Sequence, residues 1–349
     1  MNIAAAFLLL LLSAPPARAG AGSEALPFLK LDAGARSAAL SGAYCAAGDD
    51  ALSVFYNPAG TALVEKKEIL LSHNEWLEGL RNETLAYVHP VGPRLTAFGG
   101  VNALFSGSMN RYNSIGYKIG AFSSMEAAVS AGLSADFGLN YYGGAAVKAL
   151  SQQAAGGKAL AWAGDAGLLK VAGGWRLGLS ASNFGGRLKF GSRSFDLPLI
   201  LRGGVSLNFL ENYMVTAESV KAGRSASATA LGAEGRVRAG PKEYFYLRAG
   251  YKTGRSRYAG PGFTAGVGLT NRDLRVDYAF APYGELGDAH RVTVALRFGE
   301  IRPEEVPEHP QLPPVRGYNR VKPASMLVEP DKAAQKKKKK KASDAYFMW

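Results

Sequence analysis

The sequence has 349 residues, among them 43 glycines, 16 tyrosines, 16 phenylalanines and a single cysteine. One cysteine excludes a disulfide-stapled scaffold, and the glycines do not follow the three-residue period of a collagen-like fibre. The net charge of +13 would suit a nucleic-acid-binding protein. However, a run of lysines at 336–341 contributes much of it, and the other basic residues do not cluster with aromatic residues. We therefore expect no nucleic-acid partner.

The chain begins with a pattern typical of a secretory signal peptide. Residues 3–12 form an uninterrupted apolar run, and the sequence Ala-Arg-Ala at 17–19 matches an A-x-A cleavage site. No Lys or Arg precedes the run, which departs from the usual pattern. A membrane-spanning helix would need ~20 apolar residues, so the run is too short to be an anchor. We expect residues 1–19 to be removed and the protein to be exported.

The N-terminal segment 20–67 contains a stretch of small residues at 33–63, which we call the hatch. Gly, Ala and Ser predominate there, and small residues let a backbone pack closely against a surrounding wall. Pro58 cannot donate to a sheet ladder and moves Asn57 away from helical torsions, so the stretch ends in a turn. The composition predicts a compact insert inside a larger structure. Its candidate motif residues are Arg36, Asp49, Asp50, Asn57, Pro58, Ala59 and Gly60.

Arg36 is the only strong cation of the hatch. A lumenal arginine is tolerated only when it is paired or solvated. We therefore predict an ion pair with Asp49 or Asp50, or with an acid from elsewhere such as Asp277. The adjacent acids Asp49 and Asp50 could instead be a carboxylate pair or calcium ligands, but a turn in which one of them bonds the local backbone is the interpretation we prefer. Cys45 has no partner and is expected to be a small buried residue.

From residue 68 to 298, apolar and polar residues alternate. Successive side chains of a strand point to opposite faces, so this pattern predicts half-apolar strands and excludes helices. Fourteen segments have about the length that a tilted membrane strand needs. They lie at about 68–76, 81–91, 94–107, 126–138, 139–152, 159–172, 174–186, 197–210, 212–221, 226–238, 243–255, 262–270, 273–283 and 290–298.

Turns and aromatic residues indicate how these segments are arranged. Short breaks such as 92–93 and 173–174 suit tight turns on one rim, whereas 110–125 and 281–289 suit longer, wetter loops on the other. The strands of a soluble β-sandwich would also alternate between apolar and polar residues. However, aromatic residues recur near the segment ends, as in the interfacial girdles of membrane barrels. We predict an all-β fold: a transmembrane antiparallel barrel of about 14 strands at 68–299, surrounded by outer-membrane lipid, with the hatch in its lumen.

The final segment and the tail carry two further predictions. Val294, Leu296 and Phe298 alternate up to an aromatic residue, which resembles the signal read by barrel-assembly machinery, although a tail of about fifty residues follows. Residues 300–349 are rich in proline and lysine, so we expect a disordered periplasmic tail. It is either dispensable or a tether in which Lys336 to Lys341 contact an anionic polymer or lipid headgroups and Trp349 docks on a partner.

The residue types that serve in catalysis and metal binding are scattered along the chain. The four histidines, His73, His89, His290 and His309, are far apart in sequence and lack Cys or carboxylate neighbours at metal spacing. No nucleophile elbow is present. The glycines at 262, 266 and 268 only superficially resemble a phosphate-binding loop and are better explained as strand glycines. We expect no enzyme activity, no cofactor and no metal.

Two end motifs resemble the PorV/PorQ family of FadL-like outer-membrane barrels. They read G-A-R-S-A-A-L-S-G-A-Y followed by D-D-A-L-S-V-F-Y-N-P-A-G-T-A-L near the N-terminus, and D-Y-A-F-A-P-Y-G-E-L-G-D-A-H-R-V-T-V-A-L-R-F-G at 277–299. A middle stretch at 197–207 also resembles that family, and the resemblance covers about 25–299. It implies a barrel in the outer membrane. It also implies that Asn57, Pro58 and Ala59 match the hatch motif, with Arg36, Asp49 and Asp50 at charged positions.

The resemblance implies two functions. The first, which we favour because the end motifs look closer to PorV/PorQ, is an accessory role in type IX protein secretion, with secretion components and exported cargo as partners. Long loops such as 110–125 would then bind the cargo. The second is passive transport of a hydrophobic ligand. It would need an apolar lumenal pocket near Ala59 and Gly60, and a strand kink beside the hatch that opens the wall.

Overall fold

The structure is a computed structural model that describes residues 24–254 and 262–303. The predictions for the signal peptide at 1–19 and for Lys336, Lys341 and Trp349 of the tail therefore lie outside the described residues.

Fourteen strands form a closed antiparallel barrel, which confirms the predicted fold class. Two separate two-stranded hairpins, β4–β5 and β10–β11, extend from the connections. The strands in chain order are β1 (Lys67–Glu75), β2 (Arg81–Pro90), β3 (Leu95–Phe105), β4 (Met109–Tyr112), β5 (Lys118–Phe122), β6 (Ser124–Asp136), β7 (Tyr141–Ala154), β8 (Gly157–Ala172), β9 (Trp175–Phe184), β10 (Arg187–Phe190), β11 (Arg193–Asp196), β12 (Ile200–Phe209), β13 (Tyr213–Ala222), β14 (Ala228–Gly240), β15 (Glu243–Lys252), β16 (Phe263–Asn271), β17 (Leu274–Pro282) and β18 (Asp288–Phe298).

The ring closes between β1 and β18, whose residues pair from Lys67 opposite Phe298 to Glu75 opposite His290. Closure pairs every barrel strand on both sides, so no ladder group is left at an open edge. Along β18 the apolar side chains, including Val294, Leu296 and Phe298, face outward and are exposed. The inward residues between them are small or polar, as the alternation predicts: Ala295 is buried, and the partly exposed Arg297 pairs with buried Glu68 at 2.8 Å. Recognition of this face by barrel-assembly machinery stays a prediction.

The two ends of the barrel differ in their connections. One end carries tight turns such as 173–174, 241–242 and 272–273, and we call it the short-turn rim. The other end, the long-loop rim, carries the connections 106–123 and 185–199, each of which contains a hairpin. Most of the expected wet loop at 110–125 is therefore β-hairpin, and its last residues already belong to β6. The predicted alternation of turn lengths fails at one point, since β7 and β8 meet at the long-loop rim in a two-residue turn around Gly156 (φ 85°).

The hatch lies inside the barrel, as predicted. It contains the short helix α1 (Ala35–Ala39) and two 3-10 helices, Ala51–Phe55 and Pro58–Leu63; a third, Pro27–Lys30, precedes it. Most hatch residues are fully buried. The described part of the chain begins near the long-loop rim, where the Ala25 amide donates to the Asp196 carbonyl at 3.0 Å, and reaches the short-turn rim at β1. Within residues 24–254 and 262–303, no helix is long and apolar enough to span a bilayer.

The closed ring leads to a first experimental prediction. Unboiled protein in SDS is expected to keep its barrel and to migrate differently from boiled protein, because every ladder bond is internal and fraying has few starting points. Gel electrophoresis of paired unboiled and boiled samples measures this shift. Identical migration of the two samples would contradict a closed barrel.

Candidate functional site

Arg36 pairs with three carboxylates, two in the hatch and one in the barrel. Its Nη1 lies 2.6 Å from Asp49 Oδ1 and 3.1 Å from Asp50 Oδ2, which confirms the predicted ion pair. Its Nε lies 2.9 Å from Oε2 of Glu234 on β14, a partner that the sequence did not indicate. Asp277, the third predicted candidate, lies on β17 and instead pairs with Arg248 on β15 at 2.7 Å.

Asp50 extends this network to β17. Its Oδ2 also accepts from the Tyr44 hydroxyl and from Arg275 Nη2, both at 2.7 Å, while its Oδ1 accepts from the Leu52 amide at 3.1 Å. The bond to Leu52 caps a 3-10 helix, so the preferred turn interpretation of the two adjacent acids is confirmed. The hatch is therefore held by charge-assisted bonds to the half of the barrel that includes β14 and β17.

The surrounding cations keep both hatch acids ionised. Burial alone would raise the pKa of Asp49, but the charges of Arg36 and Arg176 lower it well below its usual range. Burial likewise opposes ionisation of Asp50, and Arg275 and Arg36 lower its pKa. Both carboxylates are therefore charged near neutral pH, and the guanidinium groups remain paired.

The opposite side of the hatch meets the wall without charges. The side-chain amide of Asn57 donates to the carbonyls of Cys45 at 2.9 Å and of Leu168 on β8 at 3.1 Å, and its oxygen accepts from the Ala59 amide at 3.1 Å. A Cβ at Gly167 would lie 1.9 Å from that oxygen, so this close approach requires glycine. Hatch and wall are in backbone contact here.

Pro58 and Cys45 show the same close packing. A Cβ at Gly144 of β7 would lie 2.6 Å from the carbonyl carbon of Pro58. Cys45 is buried, as expected, with its sulfur 3.6 Å from the Ser180 hydroxyl. Burial raises the pKa of its thiol to about 12, so it stays protonated.

Strand β9 is irregular just beyond this contact. Its pairing with β8 shifts register between Gly164 and Ala166, where Ser182 and Asn183 of β9 stand opposite the single residue Asp165, which marks a β-bulge on β9. Asp165 Oδ1 accepts from the amide of Asn183, a residue with φ of 62°, and Oδ2 pairs with Lys148 at 2.7 Å. The bulge is the kind of strand irregularity beside the hatch that the transport hypothesis requires.

The outer face of the same strands carries an apolar cavity of about 780 Å³, which we call the wall groove. Its floor is made of small residues, and larger apolar side chains stand around it. The floor includes Gly143, Ala145, Ala166 and Ala181, and the sides include Leu95, Leu133, Phe137, Leu168, Leu179 and Leu201. Behind this floor lie the inner contacts of Asn57 and Pro58, so the groove and the hatch are separated by one layer of backbone.

A second cavity of about 640 Å³ lies in the lumen toward the short-turn rim, and we call it the vestibule. Leu63, Val64, Glu65 and Lys66 line it, together with charged residues of the wall and the hatch such as Arg36, Asp49, Arg176, Glu234 and Arg275. We call residues 57–66 the exit segment, because they run from the contact behind the wall groove to the vestibule.

The expected apolar pocket near Ala59 and Gly60 is not where the transport hypothesis placed it. Both residues are buried, and a Cβ at Gly60 would lie 2.6 Å from the Gly48 carbonyl oxygen, so no space remains beside them. Of the two larger cavities described here, the lumenal one is polar and the apolar one is on the outer wall. The physical reason is that hatch residues pack closely around Gly60, while paired charges such as Arg36 and Glu234 line the vestibule.

His73 has two carboxylate neighbours. Its Nδ1 lies 2.7 Å from Oε1 of Glu83 on the paired strand β2, and its Nε2 lies 3.6 Å from Oε2 of Glu75 on its own strand. The contact with Glu83 arises from strand register, which spacing in the sequence does not reveal. Among the described residues, no group of three or more His, Cys, Asp or Glu side chains could hold a metal ion.

The comparisons with known proteins support the fold more than the narrower family. A family model described as uncharacterised protein family UPF0164 matches residues 17–161, which is under half of the chain. No curated protein matches the sequence. The PorV/PorQ assignment gains no confirmation and stays a prediction.

Solved transport proteins share the barrel. The toluene transporter TbuX of Ralstonia pickettii has a TM-score of 0.54 at 15% identity, with 76% of this chain and 98% of that chain covered. The CymD monoaromatic hydrocarbon channel has a TM-score of 0.55 at 13% identity, with 77% and 98% covered. A Pseudomonas aeruginosa FadL homologue has a TM-score of 0.52 at 12% identity, with 76% and 98% covered. At these identities the likeness shows a FadL-like fold.

Proposed function

We propose that this protein is an outer-membrane channel that takes up small hydrophobic molecules from the membrane through the wall groove. The observation that carries this proposal is the position of the groove, over a bulged strand and directly behind the hatch contact of Asn57 and Pro58. The named functions of TbuX and CymD support the same substrate class. Between the two functions considered from the sequence, the comparisons favour transport and give no support to type IX secretion.

The outer wall suits a ligand that arrives from lipid. Large apolar side chains are exposed along the barrel strands, and a molecule dissolved in lipid reaches the wall groove without crossing water. A cavity of about 780 Å³ lies within the usual range for small-molecule sites. Lipid around the barrel and barrel-assembly machinery acting on the face of Val294, Leu296 and Phe298 are parts of this proposal.

An apolar cluster blocks part of the long-loop end of the lumen. Leu26 and Phe28, which precede the hatch, are buried against wall residues such as Leu150 and against Leu188 and Leu197 of the connection between β9 and β12. Opening this end would expose that cluster to water at a cost of about 25 cal/mol per Å² of apolar surface.

The vestibule suits release of an apolar ligand. Its charged lining offers such a molecule few apolar contacts, so a ligand that passes the exit segment is held weakly and moves on. The wall groove binds the apolar ligand and the vestibule does not, so the affinity for the ligand decreases along the route. The concentration gradient supplies the driving force.

Filling the wall groove tests the proposal. An Ala145→Phe variant is expected to lower toluene uptake about tenfold, since a steric cost of ~1.4 kcal/mol corresponds to that factor. Ala145 faces outward, so the barrel itself should be unaffected. Uptake of radiolabelled toluene by cells that lack another channel for apolar compounds measures the effect.

The matched control is Ala233→Phe, another outward alanine, on β14 away from the groove. Equal uptake by the two variants would show that the groove is not the route. Equal uptake by cells with and without the wild-type protein would refute the transport function itself.

A further inference from the structure

The chain beyond the barrel returns to bind the end of the exit segment. The Arg302 amide donates to the Glu65 carbonyl at 2.8 Å. Its guanidinium donates to the carbonyls of Ala62 at 3.0 Å and Val64 at 3.1 Å, and to the hydroxyl of Thr96 on β3. One side chain thus joins the last turn of the hatch to the wall.

These carbonyls belong to the C-terminal end of the 3-10 helix Pro58–Leu63, where helical carbonyls lack partners within the helix. A guanidinium presents its donors in a rigid fork, so Arg302 can bind several of these acceptors at once. The partners are neutral carbonyls and a hydroxyl, and the contact does not depend on ionisation of an acid. Arg302 is thus a C-terminal cap supplied from a distant part of the chain.

The rest of the hatch is fixed differently. Arg36 and Asp50 hold its earlier part to β14 and β17 through buried ion pairs. The exit segment has no such pair behind the wall groove and contacts β7 and β8 through Gly144 and Gly167. At the short-turn rim, its Lys66 pairs with Asp273, but this ion pair is partly exposed and is therefore weak. At that end, the hydrogen bonds of Arg302 are more buried than the ion pair between Lys66 and Asp273.

We propose that Arg302 is a positioning residue that holds the exit segment closed, so that its release joins the space behind the wall groove to the vestibule. The proposal deepens the proposed transport function, since the exit segment lies on the suggested route. Arg302 acts through the hatch and does not touch the ligand. Because the vestibule is polar, displacement of the exit segment also opens a path for ions, which can be measured without an apolar ligand.

The test is ion conductance of the full-length protein in planar lipid bilayers. Arg302→Ala is expected to raise the fraction of time in a conducting state about tenfold, since hydrogen bonds from a charged donor are lost. Arg302→Lys keeps the charge but not the fork and should give an intermediate rise. The control is Arg238→Ala, because Arg238 lies near the same rim but its guanidinium donates to the carbonyls of Gly240 and Pro241, at the end of its own strand and in the turn that follows.

The migration shift between unboiled and boiled samples separates positioning from folding. A normal shift with higher conductance in Arg302→Ala, partly reversed in Arg302→Lys, supports the proposal. Conductance equal to that of Arg238→Ala overturns it. If Arg302→Ala loses the shift, Arg302→Gln decides: higher conductance with a normal shift supports the proposal, and any other result, including loss of the shift, overturns it. Because the readout is ionic, failure here leaves the toluene experiment with Ala145→Phe as an independent test.

Discussion

In an Arg36→Ala variant, the hatch is expected to lose its fixed position while the barrel stays closed. The substitution leaves Asp49, Asp50 and Glu234 without the guanidinium that joins them. Removing one partner of a buried ion pair typically costs ~3–5 kcal/mol, because the remaining charge stays buried and unpaired. Arg176 still pairs with Asp49, and Asp49 is partly open to the vestibule, so we expect the lower end of that range.

Hydrogen exchange of the hatch amides, read by mass spectrometry, measures this effect. A loss of ~3 kcal/mol corresponds to roughly a hundredfold faster exchange in residues 33–63. The control is Arg187→Ala, because Arg187 pairs with Asp196 at 2.9 Å but both side chains are largely exposed. Such surface pairs contribute ~0–1 kcal/mol. Unchanged protection in Arg36→Ala would show that the network does not hold the hatch.

A Gly167→Ala substitution is expected to detach the hatch from the wall on its other side. The new Cβ would lie 1.9 Å from Asn57 Oδ1, so the Asn57 side chain must leave its place. It would then give up its bonds to Cys45, Leu168 and Ala59. Because each hydrogen bond contributes ~1 kcal/mol, we expect the hatch to lose ~3 kcal/mol of stability and the amide hydrogens around Asn57 to exchange faster.

A double-mutant cycle makes this test specific. In an Asn57→Ala background the clashing oxygen is absent. Gly167→Ala should therefore destabilise the hatch much less in that background than in the wild-type protein. Gly235→Ala is the control, since a Cβ there has no neighbour closer than 3.6 Å. An equal cost of Gly167→Ala in both backgrounds would rule out the contact with Asn57 as its cause.

The strands and the lumenal hatch could be predicted from the sequence, because alternation and small-residue composition are local signals. All fourteen barrel strands overlap the segments laid out from the sequence. The link between Arg36 and its adjacent acids was also predictable, since the partners are close in the chain. Glu234 could not be identified, because it is 198 residues away and only the register around the barrel brings it near.

Features that depend on both faces of the wall were not predictable. The glycines at 144 and 167 could mark either a close contact inside or open space outside, and the pattern does not distinguish the two. The apolar cavity was therefore placed in the lumen, although paired charges line the open part of the lumen. The composition assigned Arg302 to a disordered tail. Its partners are mainly backbone carbonyls, which every residue has, so the residue types in the sequence do not reveal them.

The seam between β1 and β18 has a consequence for the order of assembly. The hatch is made first, yet its bonds reach the last strands: the Ala35 amide donates to Thr293 Oγ1, 258 residues away, and Asp50 accepts from Arg275, 225 residues away. These contacts form only when the C-terminal strands have been synthesised and the ring can close. Closure of the seam then secures the hatch and the barrel in a single cooperative step, and an incomplete chain has neither.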